Sequence, residues 1–469
     1  MADSMTKFTL PLILDSVFYF VVTSQLVFTK IICTLVVPLC GAKYISNEVL
    51  TNENPVATGE PVRINKKGQS LTSDLRLFED LSPICESQIY CQGEVLKDVQ
   101  LARIFEDSKT FVDKKLRFPE REILQRYQAL KANAGNRGLT KDDLKKFVED
   151  NFEEAEELEN WIPPDFTDRP ALASLVADWK YKKWILLLNQ IWKQLGKKMN
   201  IDVLVNADRH SLIYVENGFF IPGGRFLELY YWDTYWIVRG VLLCDMPNTA
   251  RGIIENIISI VQRFGYMLNG SRRYYTGRTQ PPLLIQMAAT YYTTTNDLGF
   301  IKNNILTFER EFQFWLNNRM VSPNKQNTVE PFPGQGLQCN DPVSIPGIPT
   351  SLRNSTQQWD FPSCWPPLQA MVIQGLDRTY DINAQLVAYN LASKWVFTNY
   401  IGYSRTGTMF EKYDALRLGT PGGGGEYRSQ TGFGWTNGVI FELFARWGNL
   451  LTSAEASVQI NPSEGLKRL

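Results

Sequence analysis

From residue 95 onward the chain is dominated by apolar positions that recur at three- and four-residue spacing. Segments 174–199, 251–268, 283–295, 304–317, 366–376 and 382–398 have the lengths and spacing of core helices. Thr140-Lys-Asp-Asp143 is set out as a capping arrangement, and it predicts an acidic amphipathic helix running to Glu159 whose charges form a solvated face. Trp161-Ile-Pro-Pro-Asp165 then breaks the chain. Helices joined by aromatic loops rich in glycine and proline predict an all-α architecture, with any chemistry carried by the loops.

Three stretches depart from this rhythm. An apolar run from Phe8 to Cys40 is interrupted by Asp15, Gln25 and Lys30, and its two halves, 16–29 and 31–40, are short for a membrane span. With small residues at Cys40-Gly41-Ala42, residues 1–42 read as a signal sequence, the alternative being an N-terminal membrane anchor. Residues 43–80 are polar and aperiodic, as in a linker, and the principal domain is expected over 81–450 with a polar tail over 451–469. Within that domain, residues 322–356 hold nine prolines or glycines among polar residues, and a structureless loop of that length signals a replaced or missing segment near 320–357.

Composition narrows the chemistry. Lysine plus arginine and aspartate plus glutamate both number 49, so no global field gathers nucleic acid. One histidine, His210, leaves little for metal, serine or cysteine hydrolases, and acid–base work falls to carboxylates, with neither metal nor cofactor expected. Cys85 and Cys91 flank five residues and suit a small disulfide loop if the chain enters an oxidising compartment, consistent with a secreted protein. Asn269-Gly-Ser271 and Asn354-Ser-Thr356 match the glycosylation sequon.

The densest chemistry lies in Pro222-Gly-Gly-Arg-Phe-Leu-Glu-Leu-Tyr-Tyr-Trp-Asp-Thr-Tyr-Trp236. Glycines permit close backbone approach, Arg225 and Asp233 offer directional hydrogen bonds, and the rings supply flat surfaces for the apolar faces of a sugar. The same composition also suits a helix entry with a buried aromatic core. The whole string resembles the first signature of trehalases, and Gln358-Trp-Asp-Phe-Pro-Ser-Cys-Trp-Pro-Pro367 resembles the second. The resemblance continues through Asn269-Gly-Ser-Arg-Arg-Tyr-Tyr-Thr-Gly-Arg-Thr-Gln-Pro-Pro282, Glu411-Lys-Tyr-Asp414, Gly422-Gly-Gly-Gly-Glu-Tyr427 and Gly432-Phe-Gly-Trp-Thr-Asn-Gly438.

That resemblance implies a toroid of six helical hairpins and an inverting glycosidase that splits α,α-trehalose into two glucose molecules. It implies sugar contacts at Arg225, Trp232, Asp233, Asn269, Arg278, Thr279, Gln280 and Glu426, with Glu411 as the catalytic base. Thr279 stands where a serine is common and keeps the hydroxyl. Inversion also needs a carboxylic acid on the opposite face of the sugar. The family's acid-bearing segment, expected between Arg278 and Gln358, has no match here, and Asp360 belongs to the second signature rather than to that segment. A shortened form that binds sugar with impaired or no catalysis is therefore the second expectation.

Overall fold

The computed structural model describes residues 84–319 and 346–454. The expected signal sequence, the linker and most of the C-terminal tail lie outside the described residues. The rest is mostly helical. In chain order the helices are α1 (Glu94–Leu101), α2 (Lys109–Val112), α3 (Glu120–Ala134), α4 (Lys141–Asn151), α5 (Trp179–Leu195), α6 (Asp202–Val205), α7 (Tyr231–Leu243), α8 (Pro247–Phe264), α9 (Leu284–Thr295), α10 (Leu298–Asn318), α11 (Pro366–Asp377), α12 (Ile382–Thr406) and α13 (Gly434–Trp447).

Local chemistry sets most helix ends. The Thr140 hydroxyl and the Asp143 carboxylate complete the expected capping box at the start of α4. Asp178 accepts from the Lys180 and Tyr181 amides at the start of α5, and Asp381 accepts from Asn383 and Ala384 at the start of α12. Pro247 opens α8, where its missing N–H costs nothing, and Gly265 closes it in a left-handed conformation. Gly407 ends α12 the same way, eight residues beyond the predicted end.

Two predicted helices are corrected. The 174–199 segment is helical only to Leu195, after which β4 (Gly196–Met199) pairs with β3 (Leu158–Asn160) and β5 (Phe219–Phe220). Gly196 lies so close to the Trp161 carbonyl that a side chain there would collide with it, which draws this backbone off the helix and into the sheet. The acidic helix stops at Asn151, because Phe152 turns extended and is buried as it pairs with Leu116. Nor is the acidic stretch wholly a solvated face. Glu157 is buried, and its carboxylate takes the Arg272 guanidinium at 2.6 Å and His210 Nδ1 at 3.0 Å.

Consecutive helices form helix–loop–helix units, α7 with α8, α9 with α10 and α11 with α12, while α13 pairs with α5. Helices α11, α13, α7 and α9 contact one another in that order, giving an arc of four such pairs among the described residues, against the six of a full toroid. The closest packing is α7 on α13. It depends on Gly240 and Gly438, since a methyl on Gly438 would sit 2.1 Å from the Trp236 carbonyl oxygen.

The hydrophobic interior has two parts. Helices α5 to α13 share the main core, whereas residues 84–153 bury a separate cluster that includes Ile89, Val95, Phe111, Tyr127 and Phe147. Charged groups join the two. Lys109 reaches buried Glu228 at 2.8 Å, Lys115 reaches Asp202 at 2.6 Å, and the Tyr274 hydroxyl donates to Asp113 at 2.8 Å. Cys85 and Cys91 form the expected disulfide at the start of the N-terminal module.

Candidate active site

Glu411 follows α12 on a loop fixed by the short ladder of β6 (Ser363–Cys364) on β7 (Tyr413–Asp414). That ladder brings the Gln358–Pro367 motif against the Glu411–Asp414 motif. The glycine run closes the same corner: Gly424 and Gly425 have positive φ and pass so near Thr356 and Gln358 that neither tolerates a side chain.

The Glu411 side chain is buried. Its Oε1 accepts from the Tyr427 hydroxyl at 2.7 Å, and its Oε2 accepts from the Gln430 amide at 3.2 Å and from Lys412 Nζ at 3.3 Å. The Glu411 carbonyl accepts from the Trp435 indole at 2.9 Å. A carboxylate offers about four acceptor positions, so the three donors among the described residues leave one open, on Oε1. Lys412 is itself buried, and burial holds its ammonium below the usual lysine range despite the adjoining Glu411.

Asp233 lies in the first turn of α7 and is almost fully buried. Burial pushes its carboxyl well above the usual range, and the nearby Glu411 charge adds to the effect. Next to it, Trp232 belongs to an indole cluster: Trp359 lies 5.7 Å and Trp435 5.4 Å from it, centroid to centroid, and Trp359 stacks on Trp365 at 3.7 Å. Arg225 sits on the turn before α7. It forks onto Asp107 of the N-terminal module through Nε and Nη2, while its guanidinium lies 4.7 Å over the Tyr427 ring.

The loop from Asn269 to Gln280 is tied to the same helix start. The Asn269 carbonyl accepts from the Tyr231 amide at 3.2 Å, the Asn269 amide donates to the Arg278 carbonyl at 3.0 Å, and Gln280 Oε1 accepts from the Trp232 amide at 3.0 Å. Arg278 is exposed, with its guanidinium over Tyr275. The Thr279 hydroxyl is turned inward and donates to the Met267 carbonyl at 2.6 Å, fastening the loop.

The structure thus gathers Glu411, Asp233 and Arg225 near Tyr427, with Trp232 joined to that corner through Trp435 and the Asn269–Gln280 loop bound to the start of α7. Glu426 stands apart, exposed on the glycine turn. Asp360 is held away from acid chemistry, for the Ser351 and Ser355 hydroxyls donate to it and keep its carboxyl below the usual range. The reading of the sequence missed Tyr427, Gln430, Trp435 and Asp107. Tyr427 and Trp435 stand inside motifs whose glycines and acids drew the attention; Gln430 and Asp107 fall outside every motif. Among the described residues no group of three or more histidine, cysteine, aspartate or glutamate side chains is placed to hold a metal.

A buried carboxylate with one open acceptor position, walled by indoles and flanked by a second buried carboxyl, suits the hydroxyls and apolar faces of a sugar. The trehalase family description matches residues 103–344 and 335–448. The human trehalase is 31% identical, with 82% of this chain and 93% of the relative covered, and the Apis mellifera trehalase is 32% identical, covering 82% and 88%. The chain belongs to the trehalase family. A solved structure of the neutral trehalase Nth1 from Saccharomyces cerevisiae superposes with a TM-score of 0.38 at 17% identity, over 54% of this chain and 77% of that one. The human alignment spans 545 positions, yet 82% of 469 residues is about 385, so some 160 positions of that span have no counterpart here.

Proposed function

We propose that the cluster of residues around Glu411 is a trehalose site and that Glu411 is the base of an inverting hydrolysis. The observation that carries this reading is the open acceptor position on Oε1, in a carboxylate otherwise fixed by Tyr427, Gln430 and Lys412. A water held there loses its proton to Glu411 as it attacks the anomeric carbon, while an acid on the opposite face must protonate the departing oxygen. Arg225, Trp232, Asp233, Asn269, Arg278 and Glu426 are assigned to sugar contacts, with Thr279 and Gln280 shaping their loop. Asp233, whose carboxyl burial and then the Glu411 charge push well above the usual range, is assigned a hydrogen bond to a sugar hydroxyl.

A second reading concerns turnover. The 160 positions without counterpart support a chain that has lost the acid-bearing segment, so sugar is bound while hydrolysis is impaired. Losing a general acid lowers the rate by about 10² to 10⁴. The Cys85 to Cys91 disulfide supports a secreted protein whose residues 1–42 act as signal sequence or anchor, followed by the linker and the domain over 81–450.

The test of the base is Glu411→Gln, which keeps the shape and removes the proton acceptor. We expect calorimetric titration to show trehalose binding within about threefold of the unaltered chain and glucose release to fall to background, a loss of at least about 10². Unchanged turnover in the purified variant would remove Glu411 from the mechanism.

A further inference from the structure

Arg225 is assigned to the sugar, yet half of its guanidinium is engaged elsewhere. Nε and Nη2 form a two-pronged contact with both oxygens of Asp107, a residue of the N-terminal module. The Asp107 carboxylate is fixed in turn, because Oδ1 accepts from the Lys109 amide at 2.9 Å at the start of α2. Nη1 of Arg225 keeps no hydrogen-bond partner among the described residues and is the free end of the group. From Arg225 two routes lead to Glu411. Its backbone amide donates to Gln430 Oε1 at 2.9 Å, and the Gln430 amide donates to Glu411 Oε2 at 3.2 Å. Its guanidinium covers the Tyr427 ring at 4.7 Å, and the Tyr427 hydroxyl donates to Glu411 Oε1 at 2.7 Å.

We propose that Asp107 is a positioning residue of the sugar site: it aims Arg225 and, through Tyr427 and Gln430, fixes the donors that orient Glu411. The N-terminal module thereby belongs to the site instead of merely packing beside it. A purely stabilising role explains the pair poorly. Both side chains are partly open, at 22% and 32% exposure, and ion pairs in contact with solvent add little to stability. What a planar two-pronged contact adds is direction, since it fixes the plane and azimuth of the guanidinium as a single bond does not. The Arg225 partnership also holds the Asp107 carboxyl below the usual range, so the contact persists through the neutral and mildly acidic range.

This inference rests on the trehalose reading of the site, and the experiment separates the two. Asp107→Asn and Arg225→Ala, singly and together, are titrated with trehalose by calorimetry, and amide hydrogen exchange is followed by mass spectrometry without sugar. Asp377→Asn, which breaks a similar two-pronged pair with Arg446, both residues lying outside the motifs, is the control. Asp107→Asn is expected to weaken trehalose about tenfold or more, the double variant to bind no more weakly than Arg225→Ala alone, and Asp107→Glu to recover part of the loss. Exchange should rise in 222–233 and 426–434 while the interior of α12 stays as it was, and the control should change neither binding nor those segments. Wild-type affinity in Asp107→Asn, additive losses in the double variant, or unaltered exchange in both segments would overturn the proposal. If the unaltered chain binds no trehalose, the functional reading fails, and the exchange measurement still decides whether Asp107 fixes these segments.

Discussion

Asp233 and Glu411 are two buried carboxyl groups close enough to feel one another, and their surroundings give them different tasks. Glu411 is surrounded by donors, whereas Asp233 is driven toward its neutral form by burial and then by the Glu411 charge. Asp360 is the converse case, a carboxylate tied down by two serines in a turn. Adjacent polar residues can likewise differ: Thr279 is committed to the Met267 carbonyl, while Arg278 presents an exposed guanidinium. Arg278→Ala should therefore weaken trehalose about tenfold, with thermal stability nearly unchanged because little of that side chain is buried. Titration of the purified variant checks both halves, and wild-type affinity would take Arg278 out of the pocket.

At the scale of elements, the helices were legible wherever apolar spacing and end signals agreed. Segments 283–295 and 366–376 are found within one residue of the predicted bounds, because Pro366 and the flanking loops punctuate them. Helices α7 and α13 were less legible. Both are buried on nearly every face, so they carry aromatic and apolar residues all round and give no one-sided stripe. Neither was among the predicted helices, and their segments stood out only through motifs, which named acids and glycines while passing over Tyr427 and Gln430, whose roles arise only when loops distant in sequence meet.

Helix α10 carries a feature that spacing could not show. Glu311 is buried, accepts from the Tyr231 hydroxyl at 2.8 Å and the Met267 amide at 3.2 Å, and burial raises its carboxyl to about 7. Tyr231 in turn accepts from the Leu283 and Leu284 amides, so one carboxyl links the starts of α7 and α9. In the folded chain Glu311 keeps its proton to higher pH than in the unfolded chain, so the folded state binds more protons between pH 4.5 and 7 and stability must fall as pH rises through that window. The shift corresponds to on the order of 3 kcal/mol. Urea unfolding midpoints measured from pH 4 to 8 should show that decline reduced in Glu311→Gln, and two parallel curves would contradict the assignment.

For the molecule as a whole, two separately cored parts are joined largely by charged contacts, and the helical arc holds four pairs among the described residues. The aperiodic stretch of prolines and glycines coincides with the place where the family match breaks into two overlapping pieces, at 335–344. It stands out in the sequence as an interruption because no core helix tolerates its composition. On the proposed reading its consequence is chemical: Glu411, the proposed base, is buried and held by donors, while the opposed acid that an inverting hydrolysis needs has no match in the sequence. The most direct measurement is glucose release at saturating trehalose from this chain and from a version in which residues 320–357 are replaced by the acid-bearing segment of a relative. Both proteins should be soluble, monodisperse and helical by circular dichroism. The account predicts that this chain turns over about 10² to 10⁴ times more slowly than the restored one; equal turnover by the two would contradict it and would mean that a carboxyl already present, with Asp233 and Asp360 the first to mutate, supplies the proton.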